Sequence, residues 1–179
     1  KEVWGMRLFH DITLRCRPEQ RPLIMSNVQG IDNGWRAHPS DPAAHRYPIW
    51  WTGDTVSEWA SLPQGIANGV DLGVNSLLPY VNEDLGGHDF RGLMMMPTPE
   101  LYVRFLQFGC FSPVTRIHCT AHQSRYPWIY GKEAEKIVTD FIRLRYRLLP
   151  TIYAAARRAH EDGTPLLRRA PGDHGRPAR

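Results

Sequence analysis

Two stretches of this chain, and the end of a third, concentrate side chains able to move a proton, hold a charge or bind a metal. The first is Trp50-Trp51-Thr52-Gly53-Asp54, an acid closing an aromatic run just before a helix-start pattern. Asp in that position commonly caps a helix, because its carboxylate accepts from the unsatisfied N–H groups of the first turn. Set against Trp51, the same carboxyl is also placed for proton transfer, since apolar surroundings raise its pKa toward general-acid duty. The second stretch is Asn82-Glu83-Asp84-Leu85-Gly86-Gly87-His88-Asp89, rich in groups that ligate metals. Its two glycines equally suit a loop passing close beneath a small ligand. The third is Arg116, His118, Cys119 and His122. That spacing is too thin for a zinc motif, and a lone strand-end His is more often a hydrogen-bonded structural residue than a ligand. Further on, Arg125-Tyr126-Pro127-Trp128 reads as an aromatic turn against the next helix, and Arg143, Arg145 and Arg147 as partners for carboxylates on neighbouring elements.

The elements that must position these groups are legible as an alternation. Short apolar runs at 22–26, 47–51, 76–81 and 114–118 alternate poorly between polar and apolar, the pattern of strands buried on both faces. Helical patterns lie before and between them. Trp4, Leu8 and Ile12 recur at helical spacing, and Thr55-Val-Ser-Glu58 has capping-box form ahead of Trp59, Leu62 and Ile66. Thr98-Pro99-Glu100 starts another helix, with Leu101, Phe105 and Phe108 on one face. The longest runs from about Glu133 to His160, where Pro150 should kink it or start a second helix and Gly163 should end it. Strands alternating with helices predict a parallel α/β sheet. The polar, aromatic segments follow the strands' C-terminal ends, where a (β/α)8 barrel builds its catalytic face.

Composition limits the alternatives. The 179 residues are 42% apolar and 22% charged, with a net charge of +4, which is ordinary globular chemistry and weak support for a nucleic-acid partner. Three cysteines without C-x-x-C spacing suggest neither a disulfide framework nor a zinc ribbon. No charged-then-apolar leader follows Lys1 and no run is long enough to span a bilayer, so the expectation is a soluble chain, cytoplasmic by preference, with no membrane partner. The tail 170–179 has little to bury and is expected to be disordered, leaving 1–169 as one partial domain.

Taken together, the motifs resemble glycoside hydrolase family 31. The resemblance rests on His45-Arg46-Tyr-Pro-Ile-Trp-Trp51-Thr-Gly-Asp54, on Tyr80-x3-Asp84-Leu-Gly-Gly87-His88 and on Pro99-Glu-Leu-Tyr-Val-Arg-Phe-Leu-Gln-Phe-Gly109. Ser112-Pro-x-x-Arg116-x-His118 and Arg145-Tyr-Arg-Leu-Leu-Pro150 complete it, in the family's order. It implies the C-terminal half of a (β/α)8 catalytic barrel, about four parallel strands with their helices, entering near the fifth strand. It implies an α-linked glycoside or oligosaccharide as substrate and a retaining mechanism with no cofactor or metal. By motif, Asp54 resembles the general acid/base and Trp51 a wall of the sugar subsite. Asp84 and His118 resemble residues lining the same pocket, with Arg116 beside them, and Arg46 matches a recurring basic position. Two departures stand out. The family's nucleophilic Asp belongs to the strand before Lys1, and the family's usual Arg–Ser appears as Met25-Ser26, followed by an insert at 31–44 in which Arg36 is the candidate substitute.

A half barrel would leave inner-layer residues such as Ile24, Ile49, Leu78 and Ile117 wet, so the chain should need its N-terminal half or associate with itself. The rivals are a non-catalytic carbohydrate-binding or assembly piece and a metal-dependent hydrolase using His88, Asp89, His118 and His122.

Overall fold

In a computed structural model, residues 2–26, 47, 49–75, 77–88, 96–121 and 123–169 are described. The insert at 31–44, Arg36, Arg46, Asp89, His122 and the tail 170–179 lie outside the described residues. Helix α1 (Glu2–Cys16) leads into strand β1 (Met25–Ser26). Strand β2 (Ile49–Trp51), helix α2 (Ser61–Asn75), strand β3 (Tyr80–Asn82) and strand β4 (Asp84–Leu85) follow. Helix α3 (Pro99–Phe111), strand β5 (Arg116–Ile117), a 3-10 turn (Pro127–Tyr130) and helix α4 (Lys132–Asp162) complete the chain.

Every strand pair is parallel. β1, β2 and β3 form one ribbon, with Met25 opposite Ile49 and Trp51 opposite Asn82. β4 continues past Glu83 to pair with β5, Asp84 opposite Arg116. The ladder therefore runs through four barrel-type strands, the third interrupted at Glu83, and among the described residues it does not close into a barrel. The expected runs contain β1, β2 and β5, whereas β3 overruns its run by one residue, to Asn82, and β4 lies beyond it.

Alternation across the sheet separates core from site. Trp50 and Val81 point to one face and pack with Leu72 and Leu78 beneath α2. Ile49 shares the opposite face with Trp51. Leu78 is therefore covered rather than wet, which corrects its placement in an open inner layer. Ile117 lines a cavity with Ile142, Tyr146 and Leu149 of α4 but stays exposed, as expected of it. The largest core lies between β4, α3 and α4, where Leu85, Leu101, Phe105, Ala134 and Val138 meet. Gly109 allows this close approach, because a Cβ there would lie 2.2 Å from Leu85. Tyr102 and Tyr130 stack at 3.9 Å between ring centroids, and the Tyr102 hydroxyl donates to the Arg125 carbonyl.

Local signals varied in their outcome. Thr98 caps α3 as its sequence predicts, accepting from the Leu101 N–H. Gly163 ends α4 in the left-handed region, at φ 77°. Thr55 caps nothing: α2 begins at Ser61, and the buried Thr55 hydroxyl donates to Glu83 instead. Pro150 starts no second helix, because α4 runs unbroken across it. Arg145 does not pair with a carboxylate; it donates to the carbonyls of Gly109, Cys110, Ser112 and Pro113, closing the C-terminal end of α3.

Candidate active site

Parallel register assembles the site. Asn82 sits opposite Trp51, and Asp84, two residues further on the same face, sits opposite Arg116. The Trp51 indole N–H accordingly donates to Asp84 Oδ1 at 2.8 Å, and Arg116 donates to the same oxygen through Nη2. Arg116 Nε reaches Asn82 Oδ1 at 2.8 Å, and its guanidinium carbon lies 5.5 Å from the Trp51 ring centroid. These contacts fix Asp84 in a fully buried position, with no exposed side-chain surface. Burial pushes its carboxyl pKa up, against the pull of Arg116, His118 and the Trp51 N–H.

Asp54 stands in a different setting. Thr52 and Gly53 are buried after β2, and the chain then turns the Asp54 side chain outward, 49% exposed. Its Oδ1 lies 3.4 Å from His88 Nδ1. The apolar enclosure against Trp51 expected from sequence is absent among the described residues. Neither does Asp54 cap α2, which starts seven residues later.

His88 and His118 complete the cluster. His88 is tied down by its backbone N–H to the Thr55 carbonyl at 2.6 Å and by its carbonyl to the Thr120 N–H. His88 Nδ1 lies 3.3 Å from His118 Nε2, and His118 meets Trp51 edge-on. Partial burial and the nearby Arg116 and His88 lower the His118 pKa, opposed by Asp84 and Asp54. All five expected site residues, Trp51, Asp54, Asp84, Arg116 and His118, thus meet at the C-terminal ends of adjacent strands. Ligand atoms of Asp54, Asp84, His88 and His118 spread up to 4.8 Å apart, wider than one ion with bonds of about 2.0–2.1 Å can span. His88 was absent from the expected site proper. Its signal was the strand-then-double-glycine context, which returns the chain to the end of β2.

The glycines have a packing reason. Gly87 has φ 79°, and a Cβ there would lie 2.3 Å from the Ser57 hydroxyl. Buried Arg125 holds this turn, donating to the carbonyls of Gly86 and Gly87 and to Gln123. Tyr126 and Trp128 do stack on each other, at 4.7 Å, but stay exposed. Glu83 lies behind the site, accepting from Thr55 at 2.7 Å, and burial raises its pKa to about 7.

The model of the glycosyl hydrolases family 31 TIM-barrel domain matches residues 40–155. The chain belongs to glycoside hydrolase family 31. Among its family 31 relatives, the α-xylosidase of Emericella nidulans is 32% identical over 145 residues, 80% of this chain and 18% of that protein. α-Glucosidase 2 of Bacillus thermoamyloliquefaciens is 36% identical over 126 residues, 69% of this chain and 15% of that protein. The family 31 dextranase of Flavobacterium johnsoniae complexed with glucose superposes with TM-score 0.75 at 28% identity, over 93% of this chain and 20% of that one. The chain therefore spans less than a fifth of the length of these two curated relatives, and its fold is part of the family 31 TIM barrel. No helix among the described residues is long and apolar enough to cross a membrane.

Proposed function

We propose that this chain carries the acid/base half of the active site of an enzyme that hydrolyses α-glycosidic bonds with retention of configuration. The observation that supports this most is the contrast of two carboxyls at one strand-end cluster of a family 31 barrel. Asp54 is half exposed with its Oδ1 3.4 Å from His88 Nδ1, whereas Asp84 is buried and clamped. A proton donor must reach the leaving oxygen and then take a proton from water, which suits Asp54. Asp84, buried against Arg116 and Trp51, suits a fixed support that holds the pocket wall in shape.

In this reading Asp54 protonates the departing oxygen and later deprotonates the water that attacks the glycosyl-enzyme. Trp51 offers a face to the sugar ring, and His118 and Arg116 complete the rim of the subsite. The nucleophile comes from outside these 179 residues. Asp84 does not fill that role: attack on C1 needs a free carboxylate oxygen about 5–5.5 Å from the acid/base, and Asp84 has no exposed surface. The substrate class follows the relatives, an α-linked glucoside, xyloside or oligosaccharide.

The chain is further proposed to be the C-terminal half of the barrel, requiring its N-terminal half or a second copy. Supporting this, β1 leaves one edge of the ladder without a neighbour among the described residues, and α1 exposes Trp4 and Phe9 at 71% and 68%. Purified alone, the chain should self-associate and show no turnover of aryl α-glycosides. A stable, active monomer in light scattering and assay would contradict it.

Asp54→Asn in the complete enzyme tests the acid/base role. The expected loss is about 10²–10⁴-fold on substrates with poor leaving groups. Aryl glycosides with good leaving groups need little protonation, so their first step should suffer least. Full activity on poor leaving groups would remove Asp54 from the mechanism.

A further inference from the structure

We infer that Glu83, a buried carboxyl to which the mechanism gives no part, is a positioning residue for the acid/base Asp54, gripping its loop through the Thr55 hydroxyl. The inference rests on the reading of Asp54 as proton donor, and the two can fail separately.

The loop that carries Asp54 is held at both ends. Asp54 is half exposed, with buried Thr52 and Gly53 before it and buried Thr55 after it. On the first side, Thr52 donates to the Asn82 carbonyl through its N–H at 3.1 Å and through its hydroxyl at 3.3 Å. On the second, the Thr55 hydroxyl donates to Glu83 Oε2 at 2.7 Å, and the Thr55 carbonyl accepts from the His88 N–H at 2.6 Å. The bond to Glu83 runs between side chains, so substitution can remove it without disturbing the backbone.

Glu83 is built into its place. It lies between Asn82 and Asp84, so alternation turns it from the site face toward α2. Gly65 of α2 makes room, because a Cβ there would lie 3.0 Å from Glu83 Cδ and Oε1. A carboxyl buried in this way costs more than an apolar side chain in the same space, and the cost shows in a pKa raised to about 7. Such a group needs a reason other than stability, and its grip on Thr55 supplies one. Neutral or ionised, the carboxyl keeps an oxygen that accepts from Thr55, as would the amide of Gln.

Release of Thr55 would free one end of a turn whose other part is Gly53, at φ 93°. Glycine resists such a shift little. Proton transfer to a leaving oxygen is sensitive to it, since a misplacement of about 1 Å can cost about 10²-fold.

The test compares alkyl and nitrophenyl α-glycosides of one sugar in the complete enzyme, using kcat/KM, which reports formation of the glycosyl-enzyme. An alkoxide must be protonated as it leaves, whereas nitrophenolate needs little help. Glu83→Leu should lower the alkyl value by about 10- to 100-fold and the nitrophenyl value by less than about threefold. Thr55→Val, similar in shape but without the hydroxyl, should show the same selective loss, and the double variant should lose little more than either. Glu83→Gln keeps the acceptor and should recover most of the loss. A merely structural role would act through the folded fraction and lower both substrates alike, so equal losses would overturn the proposal. So would parent values in a Thr55→Val variant whose circular dichroism matches the parent, and this variant decides the matter if Glu83→Leu does not fold. Asp54→Asn, measured alongside, separates the two claims. If it loses the alkyl substrate while folded Glu83→Leu and Thr55→Val keep it, positioning by Glu83 falls and the acid/base reading stands. Full alkyl activity in Asp54→Asn would remove both.

Discussion

The end of β2 and the junction of β3 with β4 each present an aspartate to the same cluster, yet they hold it in opposite ways. After β2 the chain turns outward, and Asp54 keeps half its surface in solvent with His88 as its neighbour. At the β3–β4 junction, register places Asp84 between Trp51 and Arg116, where nothing of its side chain is exposed. The lesson is that a parallel sheet can immobilise one carboxyl by cross-strand pairing while leaving another, one strand away, half exposed to solvent. Environment rather than residue type divides the roles.

Breaking the clamp should have the largest effect on stability. Arg116→Met strands a buried carboxylate and should cost about 3–5 kcal/mol in urea unfolding of the complete enzyme. Adding Asp84→Leu should recover much of that loss, because removing both charges removes the unpaired one. An unaffected Arg116→Met variant would mean that the clamp contributes little.

Glu83, which sits between the two regions behind Thr55 and Asp84, sharpens the comparison through pH. Its carboxyl has a folded-state pKa of about 7 against an ordinary 4.5, with burial as the main cause. The folded chain therefore holds a proton that the unfolded chain releases as pH rises from 4.5 to 7. Its stabilising contribution is complete below pH 4.5 and lost as pH climbs through 7, by about 3 kcal/mol in all. Glu83→Gln should accordingly be more stable than the parent at pH 8, with the difference shrinking toward pH 5. Equal stabilities at pH 8 would show that Glu83 ionises without penalty. Asp54→Asn should have the smallest effect on stability, within about 0.5 kcal/mol, as expected of a half-exposed group.

Much of this arrangement was legible in the chain. Four apolar runs in α/β alternation anticipated the parallel ladder, and Thr98 and Gly163 marked helix ends because caps are local chemistry. Long-range contacts were less accessible. Thr55 looked like a cap until a buried Glu83, brought close by strand pairing, took its hydroxyl. Leu78 looked like an inner-layer residue because the apolar runs showed no alternation from which to assign faces. Trp51, Asp54, Asp84, Arg116 and His118 were found through motifs and His88 as a candidate metal ligand, whereas the Arg125 strut needed the positive-φ turn at Gly86 and Gly87 to be seen.

The central claim, that Asp54 donates and accepts the proton rather than attacking the sugar, is tested most directly by azide rescue. In the complete enzyme, Asp54→Ala acting on an aryl α-glycoside with a good leaving group should form the glycosyl-enzyme and then stall. Azide needs no general base and fits the space vacated, so it should restore turnover by attacking C1 as the enzyme carboxylate departs. Two inversions then give an α-glycosyl azide, identifiable by NMR. A β-glycosyl azide would mean a single inversion, with Asp54 itself the missing nucleophile, and would contradict the account.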